Sequence, residues 1–452
     1  MHIPPNVFKA YDIRGLVDKE VTPDLAFATG VAFAHFLELE REPATVVIGE
    51  DMRPSSPLLA DAFSAGVTSL GMDVYRIGLS STDMLYFAAG KLNLPGAMFT
   101  ASHNPAAYNG IKLCLSGARP IGKESGLVAI ENFVRDGVPI HPRNPGIEHR
   151  KEMLEEYVDH LLSLVDLSTL RKLKVVVDAG NGMAGHTAPA VFKRLNCEMI
   201  PMYFELDGTF PNHEANPIDE ENLADLKAAV KKHKADIGLA FDGDADRCFL
   251  VDEKGRAVNP SDLTSLVASR ELAKYPASTI IYNLISSRAV REVVEEAGGK
   301  AVRSRVGHSY IKKLMAETGA VFGGEHSGHF YFRDFWRADS GMLAALHAIA
   351  ALGTSQGSLS ELLAPFQRYV ASGEINSEVK DAKEKIEEIK EKYSSQSGID
   401  SDELDGLTIS ADTWWFNLRA SNTEPLLRLN VEADNATLMA KVRDEVLATV
   451  RG

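Results

Sequence analysis

Short apolar runs, each closed by a polar or glycine-containing loop and then by a helical pattern, recur along most of the chain. Val46-Val47-Ile48, Val74 to Ile77 and Ala97-Met98-Phe99 read as buried strands. Between them, Thr22-Pro23 places an N-cap and a first-turn proline before a helix to about Glu40. Ser55 or Ser56 caps a second helix to about Leu70, which Gly71 stops. Phe8 to Gly15, with mixed charge and aromatics before a glycine, reads as a loop. The alternation restarts at Lys174-Val175-Val176-Val177-Asp178 and again at Thr279-Ile280-Ile281-Tyr282, the latter leading through Ser286-Ser287 into a helix. This order predicts parallel α/β structure in three successive units of similar size.

The last portion has a different pattern. Val379, Ala382, Ile386, Ile389 and Tyr393 have helical spacing, and Ser394 to Asp405 is a polar loop. Trp414 to Leu418 and Leu427, Leu429 and Val431 read as strands, and Leu438, Val442, Val446 and Val450 mark a closing helix. An α+β module is expected, joined by a hinge near Tyr369 to Gly373. The predicted boundaries are 1–147, 148–252, 253–366 and 367–452.

Composition narrows the class of partner. The 452 residues carry a net charge of −15, which argues against nucleic acid or an anionic membrane as a partner. It leaves room for a small anionic substrate, because a few placed cations or one metal invert a local field. The scattered cysteines Cys114, Cys197 and Cys248 form no zinc pattern and no even disulfide framework. A reducing, cytoplasmic setting is expected. The N-terminus shows no signal-peptide pattern, and the apolar stretch Leu25 to Leu37 is too short to span a bilayer. The residues do not distinguish a monomer from a dimer.

Four stretches carry chemistry. Thr100-Ala101-Ser102-His103-Asn104-Pro105 follows the Ala97–Phe99 run, so Ser102 sits in a loop just past a strand end, where ligands bind in open α/β sheets. Taken alone, a Ser-x-Asn-Pro sequence is ordinary turn chemistry. Asp242-Gly243-Asp244-Ala245-Asp246-Arg247 follows the apolar run Ile237 to Phe241. Like charges about 4 Å apart repel by roughly 1 kcal/mol in water and several times more in protein. Three alternating carboxylates therefore point to a cation, and hard oxygen ligands suit Mg²⁺. An EF-hand fits poorly, since Arg247 stands where its loop needs glycine. Gly323-Gly324-Glu325-His326-Ser327-Gly328-His329 offers backbone access, hydroxyl-binding groups and a histidine that exchanges protons near neutrality. Arg419-Ala420-Ser421-Asn422-Thr423-Glu424-Pro425 offers a guanidinium fork with hydroxyl, amide and backbone donors for phosphate.

In this order and approximate spacing, the four stretches resemble the α-D-phosphohexomutase family over nearly the whole chain, most closely its bacterial phosphomannomutase/phosphoglucomutase branch. The resemblance implies four domains around a central cleft: three related α/β domains with mixed sheets and a mobile C-terminal α+β domain. It implies reversible transfer of a phosphoryl group between hexose 1-phosphate and hexose 6-phosphate, through a phosphoserine enzyme and a hexose 1,6-bisphosphate intermediate that also serves as activator. Ser102 would carry the phosphoryl group, and an oxygen of it would bind Mg²⁺ with Asp242, Asp244 and Asp246. Arg14, Lys112, Arg247 and His329 would take part in catalysis. Lys9, Tyr11, His308, Glu325 and Ser327, with the phosphate grip of Arg419, Ser421, Asn422 and Thr423, would bind substrate.

Mannose phosphate is the first expected substrate and glucose phosphate a shared one, because Glu325 holding two adjacent hydroxyls would ignore C2. Phosphoglucosamine mutase and a metal-dependent sugar-phosphate phosphatase are the alternatives. Lys9 and Glu50 depart from the family pattern. Lys9 stands where some relatives have arginine and loses the bidentate fork. Glu50 stands where many relatives carry a basic residue, and nothing in the sequence accounts for it.

Overall fold

A computed structural model describes residues 3–139, 143–394, 396–420 and 426–452. The chain divides into two compact units, Met1–Leu263 with Ser327–Leu362, and Thr264–His326 with Leu363–Gly452.

In the first unit, the N-terminal sheet runs Ile13–Leu16, Tyr108–Leu115, Gly96–Phe99, Thr45–Glu50, Asp73–Leu79 and Glu148–Arg150. Gly96–Phe99, Thr45–Glu50 and Asp73–Leu79 are parallel, and Tyr108–Leu115 and Ile13–Leu16 are antiparallel additions. The sheet is therefore mixed. The Phe8–Gly15 stretch, expected as a loop, ends in strand: Ile13 pairs with Ile111 and Arg14 with Gly110. Ile13 is buried while Arg14 turns toward the loop after Phe99, so only one of the two alternating faces reads as apolar.

The helix Pro23–Leu39 starts as its sequence requires, with the Thr22 hydroxyl accepting from Leu25 N at 3.2 Å. It crosses the helix Ser56–Ser69 at glycines. A Cβ on Gly30 would stand 2.2 Å from the Phe63 carbonyl oxygen, and one on Gly66 2.2 Å from that of Phe27. Ser55 holds the N-cap position of the second helix without capping it; its hydroxyl accepts from Asn109 Nδ2 at 2.8 Å. Ser56 Oγ donates to Asp51 at 2.6 Å, so the helix start is tied to the loop in front of it. Glu50 has a partner that the sequence did not suggest, the Arg76 guanidinium, which also pairs with Asp61 at 2.7 Å.

The second sheet, Cys248–Asp252, Ile237–Phe241, Leu173–Asp178 and Cys197–Met202, is also mixed, its last three strands parallel and the first antiparallel. Ile237–Phe241 is buried at every residue and delivers the acidic loop from its carboxyl end. The antiparallel pair Phe330–Phe332 and Ala338–Asp339, with the short strand Arg119–Pro120 paired to Tyr108–Leu115, completes this unit's strands among the described residues.

In the second unit, Lys300–Ser304, Thr279–Asn283 and Phe322–Gly324 are parallel. The C-terminal sheet is antiparallel, in the order Val370–Glu378, Leu426–Ala433, Trp414–Ala420, Leu407–Ser410, Asp400–Asp402. Its core is built from Ile389, Tyr393, Phe416, Leu418, Leu429, Val442 and Val446. Val370–Gly373, expected within a hinge, lies in an edge strand with a register shift between Ala371 and Glu374. Asp400–Asp402 likewise forms a short strand inside the expected polar loop.

One buried carboxyl ties three helices of the first unit together. Asp83, in the first turn of Thr82–Leu92, accepts from Ser81 Oγ, from Tyr157 Oη at 2.7 Å and from Ser340 Oγ at 2.6 Å. Burial outweighs these hydroxyls and pushes its pKa up to about 6. The folded value lies above the unfolded one, so its contribution to stability is full below about pH 4 and is lost as pH rises through the folded pKa. Its ionisation costs about 3 kcal/mol by pH 7.5. Asp83→Asn keeps acceptor and donor capacity without charge. The melting temperature of this variant relative to wild type should rise by several degrees between pH 4.5 and 7.5, read by scanning calorimetry; a pH-independent difference would contradict the assignment.

Candidate active site

Ser102 is a buried residue held in the left-handed region at φ 50°. A non-glycine residue rarely adopts this conformation, and surrounding structure has to enforce it. Thr100 Oγ1 accepts from the Ser102 backbone N at 2.9 Å. The Ser102 carbonyl accepts from Arg53 at 2.9 Å. The outcome is placement of the hydroxyl: Ser102 Oγ donates to Asp242 Oδ2 at 2.7 Å and lies 3.2 Å from His103 Nδ1.

The acidic loop follows directly after the Ile237–Phe241 strand. Asp242, Asp244 and Asp246 are all buried, and one carboxylate oxygen of each lies within 4.8 Å of the others. Ala245, at φ 60°, folds the loop back so that its N donates to the Asp242 carbonyl at 3.1 Å. Gly243 is required by close approach: a Cβ there would stand 2.4 Å from the Ser102 carbonyl oxygen. The serine loop and the acidic loop are thus in backbone contact.

Cations balance this cluster. Lys112 Nζ reaches Asp244 Oδ2 at 2.7 Å and Asp246 Oδ2 at 2.6 Å. Burial opposes the Lys112 charge, yet the two carboxylates hold its pKa well above the ordinary lysine value. Arg247 N donates to Asp242 Oδ1 at 3.1 Å, and its Nε lies 3.6 Å from Asp242 Oδ2. Burial, with repulsion from Asp246 and Asp244, pushes the Asp242 carboxyl well up. Burial acts in the same direction on Asp246, but Lys112 and His329 overcome it and hold that carboxyl well below its usual range. A buried Asp244 Oδ1 has no hydrogen-bond partner, while Asp244 Oδ2 accepts from Thr82 Oγ1 at 2.5 Å. An orphaned carboxylate oxygen inside an all-oxygen donor set fits a hard divalent cation. The cluster is able to hold a metal ion.

His329 joins the same site. Its Nε2 accepts from Arg247 Nε at 3.2 Å and lies 3.4 Å from Asp246 Oδ1, and its Nδ1 is 2.9 Å from Ser327 Oγ. Arg14 Nη1 donates to Asn104 Oδ1 at 2.6 Å, and Arg14 also pairs with Asp12. The Arg247 charge, then burial and the Arg14 charge, hold the His103 pKa well below its usual range, so this imidazole is neutral.

Within the first unit the structure brings together Ser102, Lys112, Arg247, His329, Arg14, Ser327 and the three aspartates. Lys9 and Tyr11 lie in the loop before Ile13–Leu16, where Lys9 N donates to the Asp12 carbonyl at 2.8 Å. In the second unit, Glu325 is buried and accepts from Gly307 N at 3.1 Å, and His308 opens the helix His308–Thr318. Arg419 pairs with Glu374 at 2.6 Å, beside Arg428 at 3.3 Å from the same carboxylate. Ser421, Asn422 and Thr423 lie outside the described residues. Sequence reasoning passed over Arg53, Thr82 and Arg428. The signal for Arg53 was available: a buried strand, Thr45–Glu50, running into a short charged loop at its carboxyl end.

Models of four phosphoglucomutase/phosphomannomutase domains match the chain in sequence order. Alpha/beta/alpha domain I matches residues 5–137, domain II 155–255, domain III 259–369 and the C-terminal domain 374–449. A Xanthomonas campestris protein described as phosphohexose mutases is 43% identical over 448 residues, covering 98% of this chain and 99% of its own. The Escherichia coli K12 phosphomannomutase is 40% identical over 452 residues, covering 98% of each. The crystal structure of a phosphoglucomutase/phosphomannomutase family protein from Burkholderia thailandensis superposes with a TM-score of 0.91 at 32% identity, covering 100% of this chain and 98% of the other. The fold is accordingly four domains, three α/β with mixed sheets and a C-terminal one with an antiparallel sheet, and the chain belongs to the phosphoglucomutase/phosphomannomutase family.

Proposed function

We propose that this chain is a hexose-phosphate mutase that interconverts hexose 1-phosphate and hexose 6-phosphate through a phosphoserine at Ser102, with mannose phosphate its first substrate and glucose phosphate shared. The observation that carries the reading is the Ser102 hydroxyl 2.7 Å from Asp242, inside a buried acidic cluster flanked by Lys112 and Arg247. The relatives named phosphomannomutase support mannose as the first sugar.

In the first half of the cycle a sugar hydroxyl attacks phosphorus, the P–Oγ bond of phosphoserine breaks, and a new P–O bond to the sugar forms. The attacking hydroxyl loses one proton and Ser102 Oγ gains one. The resulting 1,6-bisphosphate turns over; in the second half the Ser102 hydroxyl loses its proton and attacks the other phosphorus, the P–Oγ bond forms again, and the P–O bond to the sugar breaks as the sugar oxygen gains a proton. Phosphoryl transfer is mostly positioning and charge neutralisation. Arg247, Arg14 and Lys112 supply positive charge around Ser102. His329, with Nε2 between Arg247 and Asp246, is placed to exchange the proton of the attacking hydroxyl. Mg²⁺, held by Asp242, Asp244 and Asp246 with a phosphoserine oxygen, would neutralise charge on the transferring group.

Glu325 and Ser327 are assigned to sugar hydroxyls. Lys9, Tyr11 and His308 are assigned to other parts of the substrate. Arg419, with Ser421, Asn422 and Thr423, is assigned to the phosphate that does not react. The proposed domain limits remain 1–147, 148–252, 253–366 and 367–452. A reducing cytoplasmic setting is proposed on the free cysteines Cys114, Cys197 and Cys248. No helix among the described residues is long and apolar enough to cross a membrane.

Ser102→Ala should lower turnover of mannose 1-phosphate by at least about 10³-fold while leaving sugar-phosphate affinity, measured by calorimetry, nearly unchanged. Retained turnover would refute the covalent cycle. Gly243→Ala forces the serine and acidic loops apart. A misplacement on the order of 1 Å costs about 10²-fold in rate, so kcat should fall by about that factor in a steady-state assay. A folded variant with wild-type kcat would show that this backbone contact is dispensable.

A further inference from the structure

Arg53 lies in the loop that follows the Thr45–Glu50 strand, and its side chain is wholly buried. A buried guanidinium is stable only when its donors are matched. Here four hydrogen bonds go to four main-chain carbonyls of one segment. Nη1 donates to Pro105 O at 3.0 Å and to Tyr108 O at 2.9 Å. Nη2 donates to Ser102 O at 2.9 Å and to Asn104 O at 2.7 Å. Its Nε faces the buried Asp51 carboxylate at 3.3 Å, and Asp51 in turn accepts from Arg53 N at 2.9 Å and from Ser56 Oγ at 2.6 Å. The guanidinium carbon lies 5.1 Å from the centre of the Phe210 ring.

The acceptors run from Ser102 to Tyr108, which is the loop that carries the reactive hydroxyl. One of them is the carbonyl of the strained residue itself, the same oxygen against which Gly243 packs. Phe210 lies under Arg53, and its ring borders Gly243: it would stand 3.6 Å from a Cβ added there. A planar fork with five fixed donors holds four carbonyls in one arrangement, and an ammonium with three donors does not.

We propose that Arg53 is a positioning residue for phosphoryl transfer: by clamping the carbonyls of Ser102, Asn104, Pro105 and Tyr108, it sets the left-handed backbone that aims Ser102 Oγ into the acidic cluster. This rests on Ser102 as the phosphoryl carrier. Arg53 reaches Ser102 at its carbonyl oxygen rather than its hydroxyl.

Arg53→Lys keeps the charge opposite Asp51 and removes the fork. Two readouts separate positioning from general destabilisation. In steady state, kcat should fall about 30- to 100-fold while KM for mannose 1-phosphate changes less than about threefold. In a single turnover with Mg²⁺ and glucose 1,6-bisphosphate, the rate of Ser102 phosphorylation, followed by intact-protein mass spectrometry on dephosphorylated enzyme, should fall by the same factor. Wild type runs in parallel. A wild type that takes up no phosphoryl group overturns the Ser102 reading and this inference with it. A wild type that does, with Arg53→Lys at an equal rate, overturns the Arg53 inference alone, as does a parallel rise in KM. If Arg53→Lys does not fold, the decision passes to Phe210→Leu, which leaves Arg53 in place without its ring support. Its phosphorylation rate should fall several-fold at unchanged KM; a wild-type rate contradicts the proposal.

Discussion

Three buried carboxylates gathered around one serine hydroxyl impose the condition that the first unit has to meet. Unpaired charges of one sign are not tolerated in a protein interior. The chain answers with Lys112 across Asp244 and Asp246, Arg247 beside Asp242, and Thr82 donating to the same Asp244 Oδ2 that Lys112 reaches. Each partner comes from a different element, so the charge balance exists only when those elements are in place. What the cations leave open, the orphaned Asp244 Oδ1, has the chemistry of a metal ligand. Charge compensation and the proposed phosphoryl chemistry draw on the same groups.

The second condition is steric. Ser102 reaches Asp242 because two loops meet backbone to backbone at Gly243, and because Ser102 is kept in a conformation it would not hold alone. The strain is of order 1–2 kcal/mol, less than the buried hydrogen bonds around Arg53 supply together. Sheet and helix therefore act as a frame for two short loops, to which the proposed chemistry is assigned.

Much of this was legible in the amino-acid order. Fully buried parallel strands announce themselves as apolar runs, so Ala97–Phe99 and Ile237–Phe241, and with them the Ser102 and Asp242 loops, could be placed at strand ends. Elements exposed on one face were harder to see. Ile13–Leu16 hides an inward-turned arginine, and Val370–Glu378 is an edge strand polar enough to resemble a linker. Arg53 differs: its place in a charged loop at a strand end was legible, but its partners are main-chain carbonyls far along the chain, and a carbonyl has no letter in the sequence. Glu50 was unexplained until the fold brought Arg76 beside it. Sequence reveals side-chain chemistry and periodicity; contacts between a side chain and distant backbone appear only in three dimensions.

The central claim is that Ser102 passes a phosphoryl group between two positions of one sugar without losing it to water. Phosphorus NMR of the protein with Mg²⁺, mannose 1-phosphate and a trace of hexose 1,6-bisphosphate reads this directly. The account predicts a growing hexose 6-phosphate signal with no inorganic phosphate, and the same product from glucose 1-phosphate at a comparable rate. Growing inorganic phosphate would contradict it and make the protein a phosphatase, and turnover confined to glucosamine phosphate would contradict the assigned sugars.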